Sequence, residues 1–394
     1  MPEMLPPPVF GAPEHTMETF EVRPDCRYYD GGLPCRFRRP CHGCDRYDPV
    51  GSRILIVLLE ALGDILITSP LPGRLKREHP GAHITWLVYE HCAPLVRLNP
   101  HVDRVLVYGW ETMEQLGSET YDLVLGLERV RAAAALVDRI QARKKVGIAH
   151  RGRHNALEAL DDRSREILML DTWNDYRTKF NTKSWTELYF QVANLEYENE
   201  PYVAEPRPDA RARVASYYGR RDDRTTICLN VGGSFPQKVW PDRHWLSLAL
   251  SLINSGKRMI FMGGPAEGAR CKALVDGLRQ AGAGPEDAWY EPLTLEETCA
   301  VPEHCDAMVT NDSFGYHVGL LGGLPCVVLF GPSTPAEVLL PHVDNVNVLR
   351  SGYACSPCAH QMLCEGAGGC MDVIEPKAVE HSLTDLLRRT RGES

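Results

Sequence analysis

The chain has 394 residues, 44% apolar and 24% charged, and a net charge of −9. That balance predicts a folded protein of two domains, each large enough to bury a core, and excludes a disordered chain. It also argues against general nucleic-acid binding, which draws affinity from lysine and arginine on phosphates, and no run of about 18 uncharged apolar residues exists to cross a bilayer.

Residues 1–50 form a Cys-rich N-terminal extension. Its start, MPEMLPPPVFGAPEHTMETFEV, has acids and prolines where an export signal needs a basic start and an apolar run, so a cytoplasmic protein is expected. It carries Cys26, Cys35, Cys41 and Cys44, and a second group, Cys355, Cys358, Cys364 and Cys370, lies near the other end. Each group has one C-x-x-C pair and four thiols in all, the donor set of a closed tetrahedral site. Structural zinc is the expectation in at least one group; iron fits four thiolates as well, and disulfides compete only outside a reducing compartment. Cys228 and Cys326 sit inside apolar strands and are expected to be small core residues.

The first domain, 51–205, opens on RILIVLL (53–59), a continuous apolar run that ends in a glycine turn carrying Asp64. Strands are predicted at 83–88, 104–107, 121–126 and 145–149, with helical stretches at 66–79, 90–98 and 130–142 between them. Strand alternating with helix predicts an α/β doubly wound parallel sheet, whose ligand crevice lies beyond the carboxyl ends of the strands. Asp64 lies there.

Between Arg129 and Arg165 the chain concentrates cations, among them Arg131, Arg139, Arg143, Lys144, Lys145, Arg151, Arg153 and Arg163. They suit an anionic partner, or form a solvated helix face. An amphipathic helix is expected around Trp185 to Leu195, and a Pro-rich polar stretch ends in a linker at 206–224.

The second domain, 225–375, starts the pattern again at 225–233, 257–264, 306–312, 325–331 and 345–349; a helix within 376–394 closes the chain. Three of its strands end in turns fit for a ligand. Gly233 and Ser234 precede Lys238 in NVGGSFPQKVWP, offering open backbone, a hydroxyl and a point charge for phosphate. Glu267, in GGPAE, suits ribose hydroxyls. Asp312, Ser313, Gly315 and His317 belong to NDSFGYH, a helix start whose amides and dipole favour a diphosphate. Each has an ordinary reading too: Asp312 or Ser313 as a cap, Glu267 as a first-turn acid, Lys238 solvated, His317 a satisfied side chain.

In order and spacing, RILIVLLEALGDILITSPLPGRLKREHPGAHITWLV, SFPQKVWP, FMGGPAE, VTNDSFGYHVG and PCVVLFGPSTP resemble the ADP-heptose transferases of lipopolysaccharide synthesis, glycosyltransferase family 9, across residues 52–385. The resemblance implies the GT-B fold: two Rossmann-like domains facing a cleft, with acceptor on the first and nucleotide sugar on the second. It implies that Asp64 is the general base, that Lys238 meets the donor phosphates and Glu267 the ribose, and that Gly233, Ser234, Asp312, Ser313, Gly315 and His317 line the donor site. It further implies inverting transfer without a cofactor and a terminal helix, here 378–387, that crosses back to the first domain. Arg129, Arg131, Arg151 and Arg153 would then meet an anionic glycolipid or saccharide, with peripheral contact at the inner membrane.

The chain departs from the family at Phe314 and Gly315, where glycine then proline is usual, and the added ring is expected beside the donor. A sugar-nucleotide epimerase or hydrolase of similar fold and a non-catalytic nucleotide-sugar binder are the alternatives. A dinucleotide-dependent dehydrogenase is disfavoured, because Glu60-Ala-Leu-Gly63-Asp64 offers one glycine where that fingerprint needs three.

Overall fold

The structure, a computed structural model, describes residues 21–29, 35, 37–151, 155–219, 223–359 and 369–392. The first lobe is built on β1 (Arg53–Val57), β2 (His83–Val88), β3 (Arg104–Val107), β4 (Thr120–Gly126), β5 (Gln141–Arg151) and β6 (Ala156–Ala159), ordered β3-β2-β1-β4-β5-β6. All pairs are parallel except β5 with β6. The apolar runs RILIV and HITWLV are buried almost throughout, as strands covered on both faces must be.

β5 starts at Gln141, four residues earlier than the apolar pattern marks, and bends into the β5–β6 hairpin at Gly147. The φ there is +96°, and a Cβ would stand 2.0 Å from the Gly126 carbonyl oxygen, so only glycine fits. The helical stretch after β1 is two helices, Leu62–Thr68 and Pro70–Glu78. Pro70 lacks the amide needed to continue the first and opens the second. The amphipathic helix runs Trp185–Val192, started by a reciprocal Ser184–Glu187 capping box.

The second lobe repeats the plan with β7 (Thr226–Asn230), β8 (Arg258–Met262), β9 (Ala288–Trp289), β10 (Ala307–Asn311), β11 (Cys326–Phe330) and β12 (Val346–Arg350), ordered β12-β11-β10-β7-β8-β9 and all parallel. Cys228 and Cys326 are buried among its strands, as expected. The linker is not a bare connection: helix Pro208–Tyr218 lies within it and buries Val214 and Tyr218 in the second-lobe core.

The terminal helix, Pro376–Arg391, stays on the second lobe rather than crossing back to the first. Val379, Leu383, Leu386 and Leu387 form one apolar stripe buried with Leu229, Val309 and Trp245. Cementing that stripe costs the helix its freedom to reach elsewhere. The lobes also share apolar surface, since Val318 and Leu340 of the second pack into the core of the first. Among the described residues no helix is long and apolar enough to cross a membrane.

Candidate active site

The carboxyl ends of the two sheets meet across the gap between the lobes. β1 delivers the turn 58–61 and the short helix Leu62–Thr68, where Asp64 accepts the Ala61 amide at 3.1 Å and so caps its own helix. Asp64 keeps some solvent contact although protein surrounds it. Burial raises its carboxyl above the ordinary range, against the opposing pull of Arg129, the Ala61 amide and Lys238.

Arg129 is held over this acid. It pairs with Asp171 at 2.9 Å, and its guanidinium lies 4.6 Å from the centre of the buried Trp185 ring. Burial alone would weaken its charge, but Tyr189, Asp171, Asp64 and Glu128 together hold it fully protonated. The other cations expected at an acceptor surface do not gather with it. Arg131 is exposed at the start of the helix Arg131–Arg139, Arg151 lies 3.6 Å from Asp138 and 3.9 Å from Glu158, and Arg153 falls outside the described residues.

Glu128 escaped the sequence reading. Its carboxylate accepts the amides of Leu59 (2.9 Å), Arg129 (2.7 Å) and Val130 (3.1 Å), with a longer approach from Glu60 at 3.4 Å, tying the turn ahead of Asp64 to the end of β4. A signal was present: YDLVLGLE sets an acid past a strand end just as RILIVLLEALGD does.

On the opposing lobe, Lys238 Nζ donates to Asp312 Oδ2 at 2.6 Å, and Ser333 Oγ donates to the same oxygen at 2.5 Å. Burial pushes the Asp312 carboxyl up, yet Lys238 and the Ser333 hydroxyl outweigh it and hold the group below the usual carboxylate range. Asp312 is thus committed to aiming Lys238. Asn230 Nδ2 donates to Thr310 Oγ1 and Ser313 Oγ, both at 2.9 Å, fixing the residue that opens the helix Phe314–Leu321. The Tyr316 amide is engaged by the Ser313 carbonyl, which leaves donation from this helix end to Phe314 and Gly315.

Glu267 lies against the backbones of Gly232 and Gly264, Gly233 packs on Val239, and Ser234 is exposed on the same loop. His317 faces the first lobe: its ring lies against Gly63, and its Nδ1 is 3.4 Å from the Tyr202 hydroxyl. Burial, helped by Lys238, lowers its pKa to about 4, so the imidazole is neutral near pH 7. Phe314, whose ring is expected beside the donor, packs partly buried against the apolar cluster of the first lobe. Arg177 and Glu337, unremarked in the sequence, form a two-pronged ion pair between the lobes, with Nη2 to Oε2 at 2.9 Å.

The cysteines divide. Cys26, Cys35, Cys41 and Cys44 line one cavity of about 20 Å³. In the other group Cys355 is exposed, Cys358 half-buried, Cys370 buried beneath Gly331, and Cys364 lies outside the described residues. Among the described residues no three histidine, cysteine, aspartate or glutamate side chains are grouped as ligands of a metal.

Two parallel-sheet lobes with an acid on one and a phosphate-fit lysine and helix start on the other define a GT-B glycosyltransferase. The family model "Glycosyltransferase family 9 (heptosyltransferase)" matches residues 110–366, and the chain belongs to that family. Lipopolysaccharide heptosyltransferase 2 of Salmonella typhimurium is 24% identical over 319 residues, which is 76% of this chain and 89% of that protein. Among solved structures, the family 9 glycosyl transferase of Veillonella parvula superposes with a TM-score of 0.67 at 23% identity, covering 86% of this chain and 98% of its own. The E. coli heptosyltransferase WaaC with ADP-2-deoxy-2-fluoro heptose gives 0.54 at 19% identity, over 84% and 99%.

Proposed function

We propose that this glycosyltransferase moves the heptose of an ADP-heptose onto a hydroxyl of a lipopolysaccharide-core acceptor, with inversion at the anomeric carbon. The observation that carries the reading is the confrontation across one gap of Asp64 with Lys238, whose charge lies close enough to act on the Asp64 carboxyl. The heptosyl donor is supported by the relative from Salmonella typhimurium and by the ligand held in WaaC.

In the reaction the acceptor oxygen attacks the anomeric carbon, its proton passes to Asp64, and the bond to the diphosphate breaks with the electron pair leaving on ADP. Lys238, aimed by Asp312, and the amides of Phe314 and Gly315 meet the charge that develops there. The raised pKa of Asp64 suits a base that must take a proton in a partly dry gap. Glu267 is the ribose acceptor, with Gly233 and Ser234 on the same rim. His317, neutral and braced by Tyr202, supports the helix start rather than adding charge.

Arg129, with Arg131 and Arg151 further out, and Arg153 receive an anionic acceptor presented at the cytoplasmic face of the inner membrane, which the protein touches peripherally. Transfer itself needs no cofactor in this scheme; structural zinc or iron belongs to the cysteine groups. Incubation with ADP-heptose and a core acceptor, beside UDP- and GDP-sugars, tests the whole reading. Heptosylated acceptor from the ADP-sugar supports it. Release of free sugar, an epimerised nucleotide sugar, or acceptor binding indifferent to salt counts against it.

A further inference from the structure

The N-terminal segment poses a physical problem. Among the described residues of 21–50, no side chain belongs to a buried core cluster; the buried apolar residues among those described begin at Ile54. A stretch of this size without a core holds a fixed fold only with a staple: disulfide or metal. Yet the segment is fixed against the first lobe. Arg27 donates to the carbonyls of Gly81 (3.0 Å) and Ala82 (3.1 Å) and to the carboxylates of Asp48 (3.0 Å) and Asp103 (2.9 Å). The chain also returns on itself, with paired backbone at Cys26 and Pro49.

Its four cysteines all face one cavity of about 20 Å³, near the volume that one small ligand atom fills. They enter it from three turns, Cys41 and Cys44 sharing one. The Tyr29 amide closes on the Cys26 carbonyl, the Arg38 amide on that of Cys35 and the Cys44 amide on that of Cys41, so that each sulfur comes from a short loop rather than a strand. The Arg46 amide donates to Cys44 Sγ at 3.4 Å, and the Cys35 thiol reaches the Arg39 carbonyl at 3.6 Å. Arg23 and Arg46 stand at the cavity wall, and both are stacked on aromatic rings, Tyr47 and Phe37, at 4.5 and 4.6 Å. Backbone donors and fixed cations are what a cluster of thiolates needs, since four sulfurs on one divalent ion leave a net charge of −2.

We propose that Cys26, Cys35, Cys41 and Cys44 bind one zinc ion as a closed tetrathiolate that staples the N-terminal segment beneath the first lobe. On binding, the thiol protons pass to solvent as the four sulfurs take the ion. No electron changes hands. The site lies at the amino end of the sheet, where Arg27 meets the loop before β2 and the Asp103 turn before β3, whereas Asp64 lies past the carboxyl end. The zinc is therefore structural, and its loss loosens Arg27 from the lobe without touching the transfer chemistry. The proposal stands independently of the donor and acceptor assigned above.

Peptide-resolved alkylation of the full chain tests it without a variant. The chain purified without chelator should release zinc on chelation, and the peptides carrying these four cysteines should change together from protected to labelled as one equivalent leaves. Equal labelling before and after chelation, or native disulfides among the four, overturns the proposal. In parallel, Cys41→Ser/Cys44→Ser should hold one zinc fewer per chain than the parent; an unchanged zinc content also overturns it. Should that variant fail to fold, the alkylation result on the parent chain decides.

Discussion

Gly315→Ala places a methyl where the second lobe has no room. A Cβ there would stand 2.3 Å from both Cγ and Nδ2 of Asn230 and 2.7 Å from its Oδ1. Asn230 is a short side chain, 4% exposed, and is pinned by its bonds to Thr310 and Ser313. It cannot swing aside cheaply. Displacing it forfeits two buried hydrogen bonds worth about 1 kcal/mol each, and overpacking adds about 1–3 kcal/mol. The expected loss is about 3–5 kcal/mol of stability in the second lobe. Because Ser313 loses the partner that sets the helix start, ADP affinity should fall by about tenfold or more, equivalent to about 1.4 kcal/mol. Urea unfolding followed by second-lobe tryptophan fluorescence, with calorimetric titration of ADP, reads both effects. A variant as stable as the parent and binding ADP equally well would show that Asn230 gives way freely and that the helix start is not built as described.

Lys238→Met strands the buried Asp312 carboxylate, so stability should fall by about 3–5 kcal/mol and ADP affinity with it; Lys238→Met/Asp312→Asn should recover stability in urea without recovering affinity. Arg129→Met removes the strongest of the charges that restrain Asp64, so the acid limb of the kcat/KM profile should move to higher pH; a profile in the same place would mean that Arg129 does not act on the base. Arg177→Met severs the ion pair to Glu337, and small-angle scattering of the ligand-free chain should show a larger radius of gyration, with kcat and KM changing together. An unaltered scattering profile would place the cohesion of the lobes in their apolar contact alone.

The sheets were legible because fully apolar runs such as RILIV, TICLN and CVVLF have little choice but to be buried on both faces. The edge strands were not: ALEA and the two-residue AW carry no such pattern and are held by neighbours rather than by their own composition. Asp64 and Lys238 could be picked out because each follows a strand end beside glycine or proline. For Asp312, expected as a donor contact, the structure adds partners that the sequence did not announce, Lys238 and Ser333. Arg177 and Glu337 act through each other across a long stretch of chain, and no local spacing announces such a pairing. The apolar surface that receives Phe314 belongs to the other lobe, so its local sequence does not announce that contact.

Asp64→Asn bears most directly on the central claim, that an acid of the first lobe serves as base against a donor held by the second. Turnover should fall ~10²–10⁴-fold, the usual share of a general base, while ADP binds as in the parent. Stability gives the control. A carboxyl raised in the folded chain holds its proton more tightly than in the unfolded one, so its contribution declines as pH rises from the ordinary carboxylate range through the raised value. At neutral pH the asparagine variant should accordingly be at least as stable as the parent. Heptosyl transfer measured on that folded, ADP-binding variant decides the matter: the predicted result is a loss of two to four decades in kcat, and transfer at the parental rate contradicts the account.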